Sequence, residues 1–385
     1  MNSTDVRSES GENEGLPSLL TRVGSQATSR AGSARLPSPL DQPAPLDRAA
    51  SLGRAVPSGQ AVPLDQPVPF GQAVPSSRIA SGVREASSRP SRPGRGSIPL
   101  SLRLARAGLN VYAGIAPRRA AKAASRFFCK PARNRRPEHE VERLNSATPF
   151  RFRQGRVWVH GWRWGPEGPL ALLVHGWAGR GGQLAAFAEP LVKRGFQVVT
   201  FDGLGHGDTP GKSSSMVELA DGLFAVTRHL RQEPKAVVAH SMGSQAVALA
   251  MAEGLEFERV AWISPPAGLA SDVEAYRRWL GFDAELGRQI VADMNRRYAV
   301  NLHDYEIELL GARGGERVLI LHDEGDRVVP IAEGRQVAKA IGAARLVSTS
   351  ALGHHRILRD AGVIEEVAGW LARAAWSSGS PRTGG

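Results

Sequence analysis

Lys235-Ala236-Val237-Val238-Ala239-His240-Ser241-Met242-Gly243-Ser244-Gln245-Ala246 runs from a short apolar stretch, through a serine, into a segment of small residues. The order is strand, sharp turn, helix. In the pattern G-x-S-x-G, small residues two before and two after the serine are required because strand and helix pass close together at the turn. Ala239 stands here for the first glycine and adds a methyl group at that crowded point. Such a turn lifts Ser241 Oγ above the sheet and aims the first helical N–H groups at whatever binds there. By itself the stretch also fits an ordinary strand-to-helix turn, and the flanking chain decides between the two readings.

Working outward, short apolar runs recur at Leu170–Val174, Gln197–Phe201, Ala236–Ala239, Val260–Ile263, Val318–Leu321 and Leu346–Thr349. Helical patterns separate them at Gln183–Arg194, Met216–Arg231, Ser244–Glu253, Ala332–Ile341 and Ala361–Arg373. Phe150–Arg153 and Arg156–Trp164 alternate apolar and polar residues as a hairpin does. Alternating strands and helices predict an α/β fold, a mainly parallel sheet covered by helices on both faces. Residues 267–315 break the alternation. They carry helical signals only and predict a helical cap inserted between two sheet strands.

Ligands of open parallel sheets bind at the carboxyl ends of the strands. Ser241 follows one strand end. Asp323, Glu324 and Asp326 follow the Val318–Leu321 strand, and His354 follows Leu346–Thr349. Serine, acid and histidine thus occur in the chain order of elbow-type hydrolases. A serine hydroxyl is a poor nucleophile until a base takes its proton, and that base needs a carboxylate to orient it and stabilise its charged form. Asp326 reaches further along its loop than Asp323 and is the better placed acid. The Gly353 turn favours His354 over His355 as the base. The turn after Leu173-Val174-His175-Gly176-Trp177 offers a second backbone donor. The N–H groups of Trp177 and Met242 together predict an oxyanion hole.

With these pieces assembled, residues 148–375 resemble the α/β-hydrolase superfamily. The resemblance rests on His175-Gly176-Trp177, Asp202-Gly203-Leu204-Gly205-His206-Gly207, the elbow, Gly325-Asp326 before Val329-Pro330, and Gly353-His354. It implies Ser241 as nucleophile, Asp326 as acid, His354 as base, and Trp177 and Met242 as oxyanion donors. The implied activity is hydrolysis of a carboxylic ester or related acyl bond, without cofactor or metal. Thioester, amide and C–C hydrolysis use the same parts, and a non-catalytic ligand-binding protein on this fold is the alternative. The departures are Ala239, and Thr209 where a small serine is frequent. His175 and His206 read as structural groups bonding loop backbone, and His240 as a side-wall residue whose ring cannot easily reach Ser241 Oγ. Apolar residues of the cap region (Trp279, Leu280, Phe282, Leu286, Ile290) suggest an apolar acyl or alkyl group as substrate. A nucleotide-binding reading of Gly211-Lys212-Ser213 fails on spacing, because a phosphate loop needs glycine at position 206, which is histidine.

Net charge is +12, and it is uneven. Residues 1–145 hold 22 basic and 11 acidic residues, a balance of +11 that leaves +1 for the remainder. The near-neutral remainder argues against nucleic acid as partner. Residues 1–97 are rich in Pro, Ser, Gly, Ala and Arg, with Gly59-Gln60-Ala61-Val62-Pro63 echoed at Gly71–Pro75, and are expected to be disordered. Residues 98–147 read as a basic helical linker. Its part 98–136 is either a surface helix touching anionic lipid or a helix packed on the domain with a solvated basic face. Residues 376–385 are expected to form a flexible tail. A single cysteine, Cys129, excludes an intrachain disulfide framework, and no secretory signal or apolar run of transmembrane length is visible. A cytoplasmic location, with membrane association open through 98–136, is the expectation.

Overall fold

The computed structural model describes residues 77–78, 100–298, 315–341 and 345–375, all within the compact unit Asp47–Gly385. The expectations for the rest of residues 1–97 and for 376–385 lie outside the described residues. The strands are β1 (Ser77–Arg78), β2 (Thr148–Gln154), β3 (Val157–Trp164), β4 (Leu170–Val174), β5 (Gln197–Phe201), β6 (Pro234–His240), β7 (Arg259–Ile263), β8 (Val318–Asp323) and β9 (Arg345–Thr349). They form one sheet in the order β1-β9-β8-β7-β6-β4-β5-β3-β2. The hairpin β2–β3 pairs antiparallel, and β3 pairs antiparallel with β5. The remaining pairs run parallel. The fold is the α/β-hydrolase fold.

The apolar runs behave as parallel strands because both of their faces are covered. Every residue of β4, β5, β6 except Lys235, and β8 is buried. Alternate residues feed opposite layers. Leu170, Leu172 and Val174 join one core, while Ala171 and Leu173 join the other.

Eleven α-helices lie among the described residues: α1 (Leu100–Ile115), α2 (Pro117–Phe128), α3 (Glu138–Asn145), α4 (Ala188–Val192), α5 (Met216–Leu230), α6 (Met242–Ala252), α7 (Leu269–Leu280), α8 (Ala284–Tyr298), α9 (Ile331–Ala340), α10 (Gly353–Arg356) and α11 (Ala361–Ala375). The pattern predicted as one helix over Gln183–Arg194 is a 3-10 turn, Gly181–Phe187, running into the short α4. Gly181 sits where a Cβ would meet the Thr200 side chain, so this entry is pressed tightly against β5. α5 starts at Ser215, whose hydroxyl accepts the Glu218 N–H at 3.2 Å, which ties down an otherwise orphaned donor of the first turn.

α7 and α8 form the helical insertion between β7 and β8. Leu280, Phe282, Leu286 and Ile290 are buried and join the same core as one face of the sheet, so the insertion packs into the domain core. The segment 98–147 supplies α1, α2 and α3. α2 buries Ala120, Ala121, Ala124 and Ser125, and Ser125 Oγ donates to Asp293 of α8 at 2.5 Å. α3 is locked by a two-point ion pair: Arg180 Nε and Nη2 reach Glu140 Oε2 and Oε1 at 2.7 and 2.9 Å. Both groups are buried, and removing either partner would strand a charge.

Candidate active site

Ser241 sits between β6 and α6 with φ 51° and ψ −128°, a backbone geometry that costs energy for a residue with a side chain. Close packing over-determines it. A Cβ on Gly176 would lie 2.9 Å from both the His240 carbonyl oxygen and Ser241 Cβ. A Cβ on Gly243 would lie 2.6 Å from the His175 carbonyl oxygen. The turns after β4 and β6 therefore touch backbone to backbone, and only hydrogen fits at these two positions. Ala239 keeps its methyl fully buried in the sheet. Trp177 follows the first of these turns and Met242 opens α6, so the two candidate oxyanion donors come from adjacent strand ends.

His354 Nδ1 donates to Asp326 Oδ2 at 2.8 Å. This bond leaves Nε2 of the same ring as its acceptor. Asp326 Oδ1 accepts the N–H groups of Val328 and Val329 at 2.8 and 3.0 Å. Burial works to raise the Asp326 carboxyl, but the His354 bond and charge and the two N–H donors prevail and hold it at about 2. The His354 loop is fastened to the elbow itself. His240 Nε2, one residue before Ser241, donates to the His354 carbonyl oxygen at 2.9 Å, and the two rings lie 4.6 Å apart. Ser241, Asp326 and His354 are 8, 7 and 7% exposed, so the group is largely screened from water. His355 is exposed, its ring nearly perpendicular to that of His354.

Asp323 has a different job. Its Oδ2 accepts from Thr349 Oγ1 at 2.8 Å and from the Leu352 N–H at 2.9 Å, and its Oδ1 accepts the Gly325 N–H at 2.9 Å. Burial alone would raise this carboxyl. The donors of Gly353, Leu352, Thr349 and Gly325 outweigh it and hold the group below its ordinary value. Asp323 thus clasps the end of β8 to the loop that carries His354.

The other histidines bond loop backbone. His175 Nδ1 meets the Gly176 carbonyl at 2.8 Å, and its Nε2 accepts the Gly203 N–H at 2.9 Å. His206 Nε2 accepts the Ala178 N–H at 3.1 Å. Burial pushes His175 down to about 4, and burial together with the His175 charge pushes His206 down to about 3, so both rings are neutral near pH 7. Thr209 Oγ1 accepts the His160 N–H at 3.1 Å and is fully buried.

Several residues around the site carry no local sequence signal. Arg133 donates to the carbonyls of Gly205 and Thr209 at 3.1 and 2.7 Å, and Arg136 reaches Asp202 at 2.7 Å. Both sit in the basic stretch that reads as solvated charge, and both are consumed by the loop after β5. Phe128, at the end of α2, stacks on Trp177 with centroids 6.3 Å apart and packs against Tyr276 of α7 at 4.9 Å. Gln245 Nε2 of α6 donates to Asp272 Oδ2 of α7 at 2.8 Å and ties the cap to the elbow helix. A depression of about 620 Å³ lies against the His354 loop, lined by His354 itself together with Arg327, Val328, His355 and Arg356.

Residues 168–305 match the family model described as serine aminopeptidase, S33, and residues 303–377 match that of the TAP-like protein. The chain belongs to the α/β-hydrolase superfamily. No curated protein matches it in sequence. Solved structures with which it aligns include the thioesterase domain from the curacin biosynthetic pathway (17% identity, TM-score 0.44, covering 59% of this chain and 99% of that one). The Pyrococcus furiosus esterase Pf2001 aligns at 17% identity and TM-score 0.49, covering 64% and 98%. A bromoperoxidase from Bacillus anthracis aligns at 16% and 0.43, covering 59% and 100%.

Proposed function

We propose that the protein is a serine hydrolase that cleaves a carboxylic ester or related acyl bond through an acyl-enzyme intermediate. The observation that carries the reading is the bond from His354 Nδ1 to Asp326 Oδ2, on a loop fastened through His240 to the elbow of Ser241. With Nδ1 committed to Asp326, His354 Nε2 is the nitrogen free to take the Ser241 proton. Ser241 Oγ attacks the acyl carbon, and the carbonyl electrons move to oxygen. The N–H groups of Trp177 and Met242 receive that developing charge. His354 then gives its proton to the departing alkoxide. A water molecule, deprotonated by the same nitrogen, releases the acid and restores Ser241.

The acyl group is apolar in this reading. Phe128, Trp177 and Tyr276 form an aromatic wall beside the elbow, and Trp177 remains 37% exposed. The test is labelling by a fluorophosphonate probe together with hydrolysis of p-nitrophenyl esters of graded chain length. Ser241→Ala should abolish labelling and lower kcat by several orders of magnitude with the fold intact. Undiminished hydrolysis by that variant would end the proposal.

A further inference from the structure

The solvent face of α1 is apolar where a surface helix is normally polar. Leu104, Val111 and Ile115 are 64, 63 and 79% exposed, and at helical spacing they fall on one side together with Ala107 and Gly108. The opposite side is already occupied. Leu109 and Ala113 pack inward, and Asn110 Nδ2 donates to the Gly281 carbonyl of the cap at 3.0 Å. The outward stripe is therefore not a core face awaiting its own domain.

One residue, Ala116, separates this stripe from α2. Its buried side is Ala120, Ala121, Ala124 and Ser125, and its solvent side shows Arg118, Arg119, Lys122 and Arg126, followed by Phe127 at 55% exposure. No acidic residue occurs between Glu85 and Glu138, so nothing nearby neutralises that face from within the segment. We propose that α1 and α2 form a docking surface for an anionic phospholipid bilayer, with the α1 stripe entering the acyl boundary and the α2 cations meeting the phosphates.

Charge and apolarity together select this occupant. A bilayer interface offers both an apolar layer and fixed negative charge within one helix diameter. Duplex DNA would use the cations but leave the stripe in water. A second copy, stripe against stripe, would bring two cationic α2 faces together. The surface does not depend on the chemistry at Ser241, and its test does not read activity.

The experiment is co-sedimentation of the full-length protein with large vesicles of phosphatidylcholine alone, and of equimolar phosphatidylcholine and phosphatidylglycerol. Binding to the anionic vesicles, weak binding to the neutral ones, and loss of binding at high salt are expected. The pair Val111→Asp and Ile115→Asp should weaken vesicle binding at least about tenfold, since charge is placed in the apolar layer. The pair Arg118→Glu and Lys122→Glu should do the same on anionic vesicles, at about one factor of five or more per reversed cation. All four side chains are exposed, so melting temperatures should not move. Failure of the wild-type protein to bind anionic vesicles would overturn the proposal. So would wild-type binding by the Asp pair, which would reduce the contact to adsorption of a basic chain. A concentration-dependent dimer that the Asp pair converts to monomer would overturn it in favour of self-association.

Discussion

Asp326→Asn removes one oxygen and keeps the shape of the side chain, and the structure separates what each half of that carboxylate does. Oδ1 holds the loop through the Val328 and Val329 N–H groups, and an amide oxygen can accept both. Oδ2 receives the His354 Nδ1 proton, and an amide NH2 cannot. Two donors would then face each other. The relief is for His354 to move its proton to Nε2, and under the proposed mechanism that removes the base for Ser241. An orienting aspartate changed in this way costs ~10⁴ in kcat in the serine protease case, about 5.5 kcal/mol of barrier. A similar loss is expected here in p-nitrophenyl ester hydrolysis. Stability should fall far less. Folding lowers the Asp326 carboxyl from 3.8 to about 2, which makes its ionised form worth about 2 kcal/mol. The sign follows from the depressed value: that contribution is present above about pH 4 and is lost as pH falls through about 2. Urea titration at neutral pH should show a folded variant with a loss of about that size. A variant retaining more than about a tenth of wild-type kcat would refute the assignment.

His354→Ala should eliminate hydrolysis while His355→Ala, an exposed position, leaves most of it; the reverse ranking in initial-rate assays would move the base by one residue. Asp323→Asn should lower the melting temperature, because Thr349 and Leu352 lose a charged acceptor, yet reduce kcat far less than Asp326→Asn does; equal losses of kcat without loss of stability would contradict the clasp. Burial pushes the Asp272 carboxyl up from 3.8 to about 7, with Gln245 opposing the shift and the charge of Glu333 adding to it. A carboxyl raised on folding contributes stability that is full below about pH 4 and is lost as pH rises through about 7. Asp272→Asn should therefore flatten the fall in stability between those values, and an unchanged slope in denaturation across that window would remove Asp272 as its source.

The parallel sheet, and the strand ends that carry Ser241, Asp326 and His354, are legible in the chain alone. Val237, Val238 and Leu170–Val174 need no partner list to be read as strands, because an unbroken apolar run bounded by turns can be buried only on both faces. The elbow is legible because its small residues lie within two positions of Ser241, although the backbone that Gly243 makes room for, at Val174 and His175, is distant in the chain. Asp326 lies further beyond its strand than Asp323, and it is Asp326 that bonds His354. Tertiary structure alone decided what the remaining charges and rings do. Arg133 and Arg136 sit in a run of basic residues, and nothing in that run distinguishes the arginines that β5's loop consumes from those left in water. Phe128 meets Trp177 and Tyr276 across wide gaps in the chain, and Gln245 meets Asp272 across two elements. Hydrophobic periodicity records which face of an element is buried. It does not record what lies opposite that face, and the desolvation, hydrogen bonding and ring contacts that shape this site all depend on the partner.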